Sequence, residues 1–210
     1  MNIARLFKWW GILLVATLLS VAICIRWLDI PIALFFLGSA NRFSGLERSF
    51  GAFPLVAGEM TLIASLAIVR LVRGILPDFA KTLLVASCAS LSAFAANDYV
   101  LKVIFGRQIP PVFFRAPATH IFYFFQGTPY SGFPSGHMVM ATAFAAALAR
   151  IYPRTSPFLI VLLCVGGTAL ILGDSHFLSD VIAGLFVGGT AGFVAGELWC
   201  QHVRHPQAPD

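Results

Sequence analysis

The sequence predicts an all-α, polytopic membrane protein with six transmembrane helices. Of its 210 residues, 59% are hydrophobic and 11% are charged, and the mean hydropathy is +0.86. A soluble domain carries about 25% charged residues, so this balance excludes an ordinary soluble protein. The apolar residues also form runs of roughly 20, which is the length that crosses a bilayer.

Six apolar runs alternate with shorter polar stretches. The first follows Arg5 and Lys8 and continues to Trp27 without the small-residue cleavage site of a signal peptide, so we interpret it as a span. Prolines and charged residues close most of the other runs. The predicted spans are residues 9–27, 55–72, 82–105, 136–152, 157–173 and 176–200.

Residues 28–53 do not fit this pattern. They mix large apolar side chains with polar and charged ones, namely Asp29, Asn41, Arg42, Glu47 and Arg48. A segment of this composition is too polar to cross a membrane, and it predicts amphipathic surface helices between spans one and two. Residues 106–133 form a second long connection, rich in proline and aromatic residues, and loops of this length usually carry function.

Six spans place both termini on one side of the membrane, and the basic residues indicate which side. Those on the side of the termini are Arg5, Lys8, Arg70, Arg73, Lys81, Arg150, Arg154 and Arg204. Those on the other side, apart from three cations assigned below to a candidate site, are Arg26, Arg42 and Arg48. Because Lys and Arg are enriched in cytoplasmic loops, we expect cytoplasmic termini. We expect one membrane-embedded domain over residues 1–210, with a core at about 28–200.

Several classes of partner and cofactor are excluded by composition and spacing. The net charge of +5 does not indicate nucleic-acid binding, because the basic residues lie mostly at the ends of apolar runs rather than in a stripe with aromatics. The four cysteines are far apart, and no carboxylate or histidine cluster has the spacing that holds a divalent metal. We therefore expect neither a metal nor another cofactor, and the oligomeric state stays open.

The stretch Phe-Pro-Ser-Gly-His at residues 133–137 predicts a turn that opens a helix. The first backbone N–H groups of a helix have no partner within it, and that end of the helix is positive. With the hydroxyl of Ser135, the close backbone approach at Gly136 and the imidazole of His137, the turn becomes a cradle for a phosphate.

A second histidine strengthens this interpretation. His176 and Asp180 are four residues apart, so on a helix the carboxylate lies on the same face as the imidazole and can hold it. The predicted spans bring Lys102, Arg107 and both histidine segments to the membrane face opposite the termini. Cations, a helix N-terminus and imidazoles all suit a phosphate, so the sequence predicts a phosphate site at the non-cytoplasmic face.

These residues resemble the motifs of the type 2 phosphatidic acid phosphatase superfamily, in its integral-membrane branch. The Pro-Ser-Gly-His motif is complete at residues 134–137, and a third motif keeps its functional end at His176 and Asp180. The first motif is partial and begins at Lys102. The six-span layout agrees with this family, and the resemblance covers about residues 28–200.

Two arginines of the family pattern are missing, so the first and third motifs are degenerate. Ile109 stands where the first motif has Arg before Pro, and Leu170 stands where the third motif has Arg. Each charge-assisted bond to an oxyanion contributes about 1.5–3 kcal/mol. We interpret Arg107 as a partial replacement, and Arg115 as a residue that can swing in.

The resemblance implies a metal-independent phosphoric ester hydrolase with a phosphohistidine intermediate. His176, held by Asp180, would attack phosphorus, and His137 would act first as an acid and then as a base. The implied phosphate-binding residues are Lys102, Arg107, Ser135 and Gly136. The candidate substrate contacts are Arg115 and Asp174, although for Asp174 a solvated loop acid is the favoured alternative.

The predicted function is hydrolysis of a terminal phosphate monoester or pyrophosphate of a lipid at the outer membrane face. Candidate substrates are phosphatidic acid, phosphatidylglycerol phosphate, a polyprenyl (di)phosphate or a phosphorylated glycolipid, with membrane lipids as the surrounding partners. Alternatives are a lipid phosphotransferase with the same intermediate and a non-catalytic lipid-binding or transport protein. Short loops and the absence of an Asn-x-Ser/Thr site favour a bacterial inner membrane.

Overall fold

A computed structural model of the chain describes residues 3–37, 52–115, 120–127 and 131–204. Within these ranges the backbone is mostly helical, and no β-strand is found. An isolated parallel bridge pairs Arg107 with Ser131. The predicted all-α class is therefore confirmed.

The helices follow one another along the described residues, α1 being the first in the chain. Their bounds are α1 Ile3–Ile23, α2 Asp29–Phe36, α3 Ala52–Arg73, α4 Asp78–Ala96, α5 Lys102–Phe105, α6 Pro110–Arg115, α7 Gly136–Ile151, α8 Ser156–Leu172 and α9 Leu178–Arg204. A π-helical turn at Cys24–Leu28 joins α1 to α2, and a second at Asn97–Leu101 joins α4 to α5. A 3₁₀ turn at Pro153–Thr155 precedes α8.

Five helical stretches of the described chain are long and apolar enough to cross a membrane. They are Arg5–Phe36, Pro54–Arg73, Asp78–Phe105, Pro153–Leu172 and Leu178–Val203. The remaining predicted span corresponds to α7, which has 16 residues. A helix of that length is about 24 Å long, less than the roughly 30 Å of a bilayer core. The prediction of several long apolar helices is confirmed for the described residues, whereas the count of six spans stays a prediction.

The first span differs from the prediction at its C-terminal end. The sequence predicts that it stops at Trp27 and that a surface helix follows, but the helix continues through the π turn Cys24–Leu28 to Phe36. Asp29, which suggested the boundary, is 1% exposed and forms an ion pair with Arg107. Because Arg107 neutralises this carboxylate inside the protein, the helix can continue past Asp29. Residues 38–51 of the predicted surface segment lie outside the described ranges.

Helices α7 and α9 pack in parallel, with their backbones close together. Four glycines spaced every four residues line α9, and a Cβ atom on any of them would meet a backbone oxygen of the α7 segment. In chain order, Gly184 faces the carbonyl of Ser135, Gly188 that of Val139, Gly192 that of Ala143 and Gly196 that of Ala147. From one pair to the next, the residue number rises by four in both helices, so α7 and α9 run in the same direction. Their N-terminal ends therefore lie at the same end of the bundle. Small residues at such positions let two helix backbones approach closely.

Helix α4 packs against α7 in the opposite direction. Ser90 donates to the carbonyl of Met140 at 3.0 Å, and Asn97 Nδ2 donates to the carbonyl of Pro134 at 3.3 Å. The two helices are therefore antiparallel, and the C-terminal end of α4 lies near the N-terminal end of α7. The last turn of α4 and the π turn after it lie beside the N-terminal ends of α7 and α9.

The glycine contact predicts that Gly188→Ala destabilises the protein and that Gly189→Ala does not. A methyl group at position 188 would overlap the Val139 carbonyl, whereas at position 189 its nearest neighbour would be Thr142 Cγ2 at 3.6 Å. Overpacking costs about 1–3 kcal/mol, so we expect the melting temperature in detergent to fall by several degrees for Gly188→Ala alone. Equal melting temperatures for the two variants would contradict this packing.

Candidate active site

The turn that opens α7 is the one predicted from the sequence. Ser135 is the N-cap residue: its backbone is extended, and its Oγ accepts a hydrogen bond from the Met138 N–H at 3.4 Å. A short hydroxyl side chain is preferred at this position because it satisfies a helix N–H that has no other partner. The helix therefore begins at Gly136, with its positive end among the residues described next.

Lys102 lies beside the start of α7. A Cβ atom on Gly136 would lie 3.0 Å from the ring of Phe94 and 3.4 Å from Lys102 Nζ, so glycine is the residue that fits without displacing either side chain. The ammonium group of Lys102 also forms an ion pair with Asp98 Oδ1 at 2.5 Å. The positive charge of Lys102 therefore lies beside the N-terminus of α7. Asp98, four residues before Lys102 in the chain, neutralises this charge.

Asp180 connects the two motif turns through backbone bonds. Its Oδ2 accepts from the Phe177 N–H at 2.8 Å, and its carbonyl accepts from the Ser135 N–H at 3.1 Å. An acidic side chain that reaches back from the third helical position to the preceding backbone N–H is the carboxylate half of a capping box. Asp180 thus fixes the first turn of α9 and ties it to the first turn of α7.

The imidazole of His176 has a different hydrogen-bond partner from the one predicted. Its Nδ1 lies 3.0 Å from the carbonyl oxygen of Gly132 and 3.6 Å from Asp180 Oδ2. The expectation that Asp180 holds the ring is corrected: the carbonyl makes the hydrogen bond, because Asp180 is engaged by the backbone and by Arg107. A carbonyl only accepts, so Nδ1 is the donor of this hydrogen bond, and in the neutral ring the free lone pair lies on Nε2.

The two histidines of the motifs come together. The ring centroids of His137 and His176 are 5.8 Å apart, with the planes at 70°. His137 belongs to the first turn of α7, and His176 precedes α9 by two residues. The parallel packing of these helices is what brings residues 39 positions apart in the sequence to the same end of the bundle.

Arg107 lies at the centre of a buried ion-pair network. It is 5% exposed, and its guanidinium group lies over the ring of Phe177 at 4.2 Å from the centroid. Its Nη1 donates to Asp180 Oδ1 and to Ser179 Oγ, each at 2.6 Å, and its Nη2 donates to Asp29 Oδ2 at 2.8 Å. The sequence predicts Arg107 as a phosphate ligand. The structure gives it protein partners instead, and direct contact with phosphate stays a prediction.

The two candidate substrate contacts lie in contrasting environments. Arg115 is exposed at the end of α6. Asp174 is 2% exposed and lies in the turn before α9, with a φ of 55°. The interpretation of Asp174 as a solvated loop acid is wrong, because the residue is buried. Substrate binding by either residue stays a prediction.

Sequence reasoning missed two residues of this site. The sequence predicts Asp29 only as one of the polar residues of the surface segment 28–53, although an acid beside an apolar run is itself a signal that a partner exists. Ser179 lies inside the third motif and received no role. Its hydroxyl accepts from Arg107 and donates to Asp29 Oδ2 at 2.5 Å. Both residues are 1% exposed or less.

Comparison with known families agrees with the motifs. Residues 80–203 match the sequence model of the PAP2 superfamily, which is more than half of the chain. The chain therefore belongs to the PAP2 superfamily. The matched range contains both histidines and Arg107, and it leaves out Asp29.

Two curated relatives match part of the chain. The lipid A 1-phosphatase of Rhizobium etli is 39% identical over 105 residues, which cover 47% of this chain and 41% of the relative. The lipid A 1-phosphatase of Rhizobium johnstonii is 38% identical over 104 residues, which cover 46% of this chain and 39% of the relative. The chain thus spans about two fifths of the length of these relatives. No solved structure matches the chain significantly.

The buried network predicts that Arg107→Lys destabilises the protein. A single ammonium group cannot reproduce the forked geometry that joins Asp29 to Asp180, and each charge-assisted bond lost costs about 1.5–3 kcal/mol. We expect a clearly lower melting temperature of the purified protein in detergent. The matched control is Arg115→Lys at an exposed position, which should change stability by less than about 0.5 kcal/mol. A melting temperature for Arg107→Lys equal to that of the control would show that the fork is dispensable.

Proposed function

We propose that this protein is a membrane lipid phosphate phosphatase that works through a phosphohistidine. The observation that carries the proposal is the pairing of His137 with His176, whose ring centroids are 5.8 Å apart. Two imidazoles so close can act on one phosphorus atom, one as nucleophile and the other as proton donor. Membership of the PAP2 superfamily and the names of the two relatives support a phosphatase.

The first step follows from the tautomer of His176. With Nδ1 directed to the Gly132 carbonyl, the Nε2 lone pair attacks phosphorus, and the bond from phosphorus to the ester oxygen breaks. His137 gives a proton to the departing alkoxide. In the second step neutral His137 takes a proton from water, the resulting hydroxide attacks phosphorus, and the P–N bond breaks to release phosphate and restore His176.

Negative charge on the phosphoryl oxygens has to be stabilised in both steps. We assign this to the Lys102 ammonium, the Ser135 hydroxyl and the backbone at Gly136, which lie together at the positive end of α7. In the free protein Asp98 balances Lys102. A bound phosphate would therefore compete with this carboxylate for the ammonium group.

The proposed substrate is a lipid whose phosphate lies at the membrane surface while its chains remain in the bilayer. Because both relatives are named for lipid A, a phosphorylated glycolipid is the first candidate. Phosphatidic acid, phosphatidylglycerol phosphate and a polyprenyl (di)phosphate are the others. We further propose one domain over residues 1–210, six spans, cytoplasmic termini and an active site on the outer face of a bacterial inner membrane.

The direct test is phosphate release by the purified protein in detergent, with a panel of these lipids. We expect release without an added divalent metal, since the side chains and the helix end supply the positive charge. His176→Ala should reduce the rate by at least about 10³-fold because the nucleophile is lost. The matched control is His202→Ala, an exposed histidine of α9, which should keep the wild-type rate. Turnover that persists in His176→Ala, or that depends on a divalent metal, contradicts the proposal.

The same assay separates the alternatives. A phosphotransferase would move labelled phosphate to a second lipid instead of releasing it. A non-catalytic relative is favoured by Ile109 and Leu170 at the positions of motif arginines, and it would bind the lipids without releasing phosphate. A large gain of activity in Ile109→Arg would then indicate that the native site has lost part of its catalytic power.

The role of His137 can be tested with an aryl phosphate, whose leaving group needs no protonation. We expect His137→Ala to release about one equivalent of aryl alcohol per protein in a rapid burst, because the first step no longer needs an acid. Turnover after the burst should be slow, since no base activates water. Burst amplitude is measured by rapid-mixing absorbance. Steady turnover at the wild-type rate, or absence of a burst in an otherwise folded variant, would remove His137 from the mechanism.

A further inference from the structure

Asp29 makes three hydrogen bonds within the candidate site. Its Oδ1 accepts from the Ser179 N–H at 3.0 Å, and its Oδ2 accepts from Ser179 Oγ at 2.5 Å and from Arg107 Nη2 at 2.8 Å. The side chain is 1% exposed, and it follows the π turn Cys24–Leu28 directly. A fully buried carboxylate with this set of donors is held in one position.

The position of this carboxylate has an electrostatic reason. Ser179 is the second residue of α9, and its N–H belongs to the first turn, where the helix itself offers no acceptor. Asp29 supplies that acceptor from a helix 150 residues away in the sequence, and its charge favours the positive end of α9. Asp29 therefore acts as a capping residue from outside the helix.

The same carboxylate reaches His176 through two short chains of contacts. One runs through Ser179, which is next to Asp180, and Asp180 holds the Phe177 N–H directly after the histidine. The other runs through Arg107, which bridges Asp29 and Asp180. Both chains end on the first turn of α9, so they fix the backbone from which the imidazole of His176 projects.

We propose that Asp29 is a positioning residue of the active site: through Ser179 and Arg107 it fixes the first turn of α9 and thereby sets His176 opposite His137. The inference extends the site to the start of α2, outside the residues matched by the PAP2 family. As a statement about turnover it rests on the proposed function. As a statement about the geometry of His176 it does not.

The test uses Asp29→Asn in the full-length protein in detergent. The amide keeps the volume but loses the charge, and one of its atoms becomes a donor that faces other donors. We expect kcat to fall about 10- to 100-fold with KM changed less than about threefold, because small displacements of a reacting group act on the chemical step. The matched control is Asp78→Asn, an exposed partner of Lys81 at the start of α4, which should keep wild-type kinetics.

A second readout does not need turnover. With ¹⁵N-histidine labelling and His176→Gln for assignment, we expect the ring nitrogens of His176 to shift in Asp29→Asn, while those of the exposed His202 stay unchanged. If the wild-type protein releases no phosphate, the proposed function fails, and this spectrum alone decides the inference. An unchanged His176 spectrum, or kinetics that stay at the wild-type level below the melting temperature, overturns it.

A purely structural role for Asp29 makes a different prediction. In that case Asp29→Asn would only increase the fraction of unfolded, inactive protein. The kcat per folded molecule and the His176 spectrum would stay unchanged, and that result also overturns the inference. If Asp29→Asn does not fold, Ser179→Ala takes its place. It removes the hydroxyl between Asp29 and Arg107 while leaving every charge, and we expect a fall in kcat of about 3- to 10-fold in the same direction.

Discussion

The close, parallel packing of α7 and α9 is the constraint on which the rest of the structure depends. Parallel neighbours put their positive ends together, and the glycines from Gly184 to Gly196 bring the backbones close enough for the first turns to bond to each other. The bond from the Ser135 N–H to the Asp180 carbonyl is the direct result. Two histidines that stand at the starts of separate helices therefore become neighbours, without any long loop having to position them.

Buried charge is the second organising element. Asp29 and Asp180 would repel each other in a medium of low dielectric constant, and the guanidinium group of Arg107 between them removes that repulsion while Ser179 fills a remaining hydrogen-bond site. A network of this kind tolerates the loss of one member poorly, because the partners stay buried and unpaired. It links the start of α2, the segment that follows α5, and the start of α9, which are distant from one another in the sequence.

The sequence predicted the elements whose signals are local. The all-α class, the apolar runs, the turn at Ser135 and the meeting of His137 with His176 follow from composition, capping chemistry and span order. The partners of Arg107 did not follow, since Asp29 lies 78 residues away and its burial depends on tertiary packing. The function of Asp180 was missed for a similar reason: four-residue spacing shows that it can reach His176, but not that the Phe177 N–H and Arg107 engage it first.

The two π turns change the angular register of the helical segments that follow them. In each, a backbone N–H bonds the carbonyl five residues earlier, from Asp29 to Cys24 and from Lys102 to Asn97. The extra residue rotates everything beyond it by about 100° relative to a regular α-helix. A helical wheel drawn across either turn therefore assigns Asp29 or Lys102 to the wrong side of its helix. Superposing either segment on a regular α-helix needs a one-residue gap where the phase changes, even though the chain itself has no loop there.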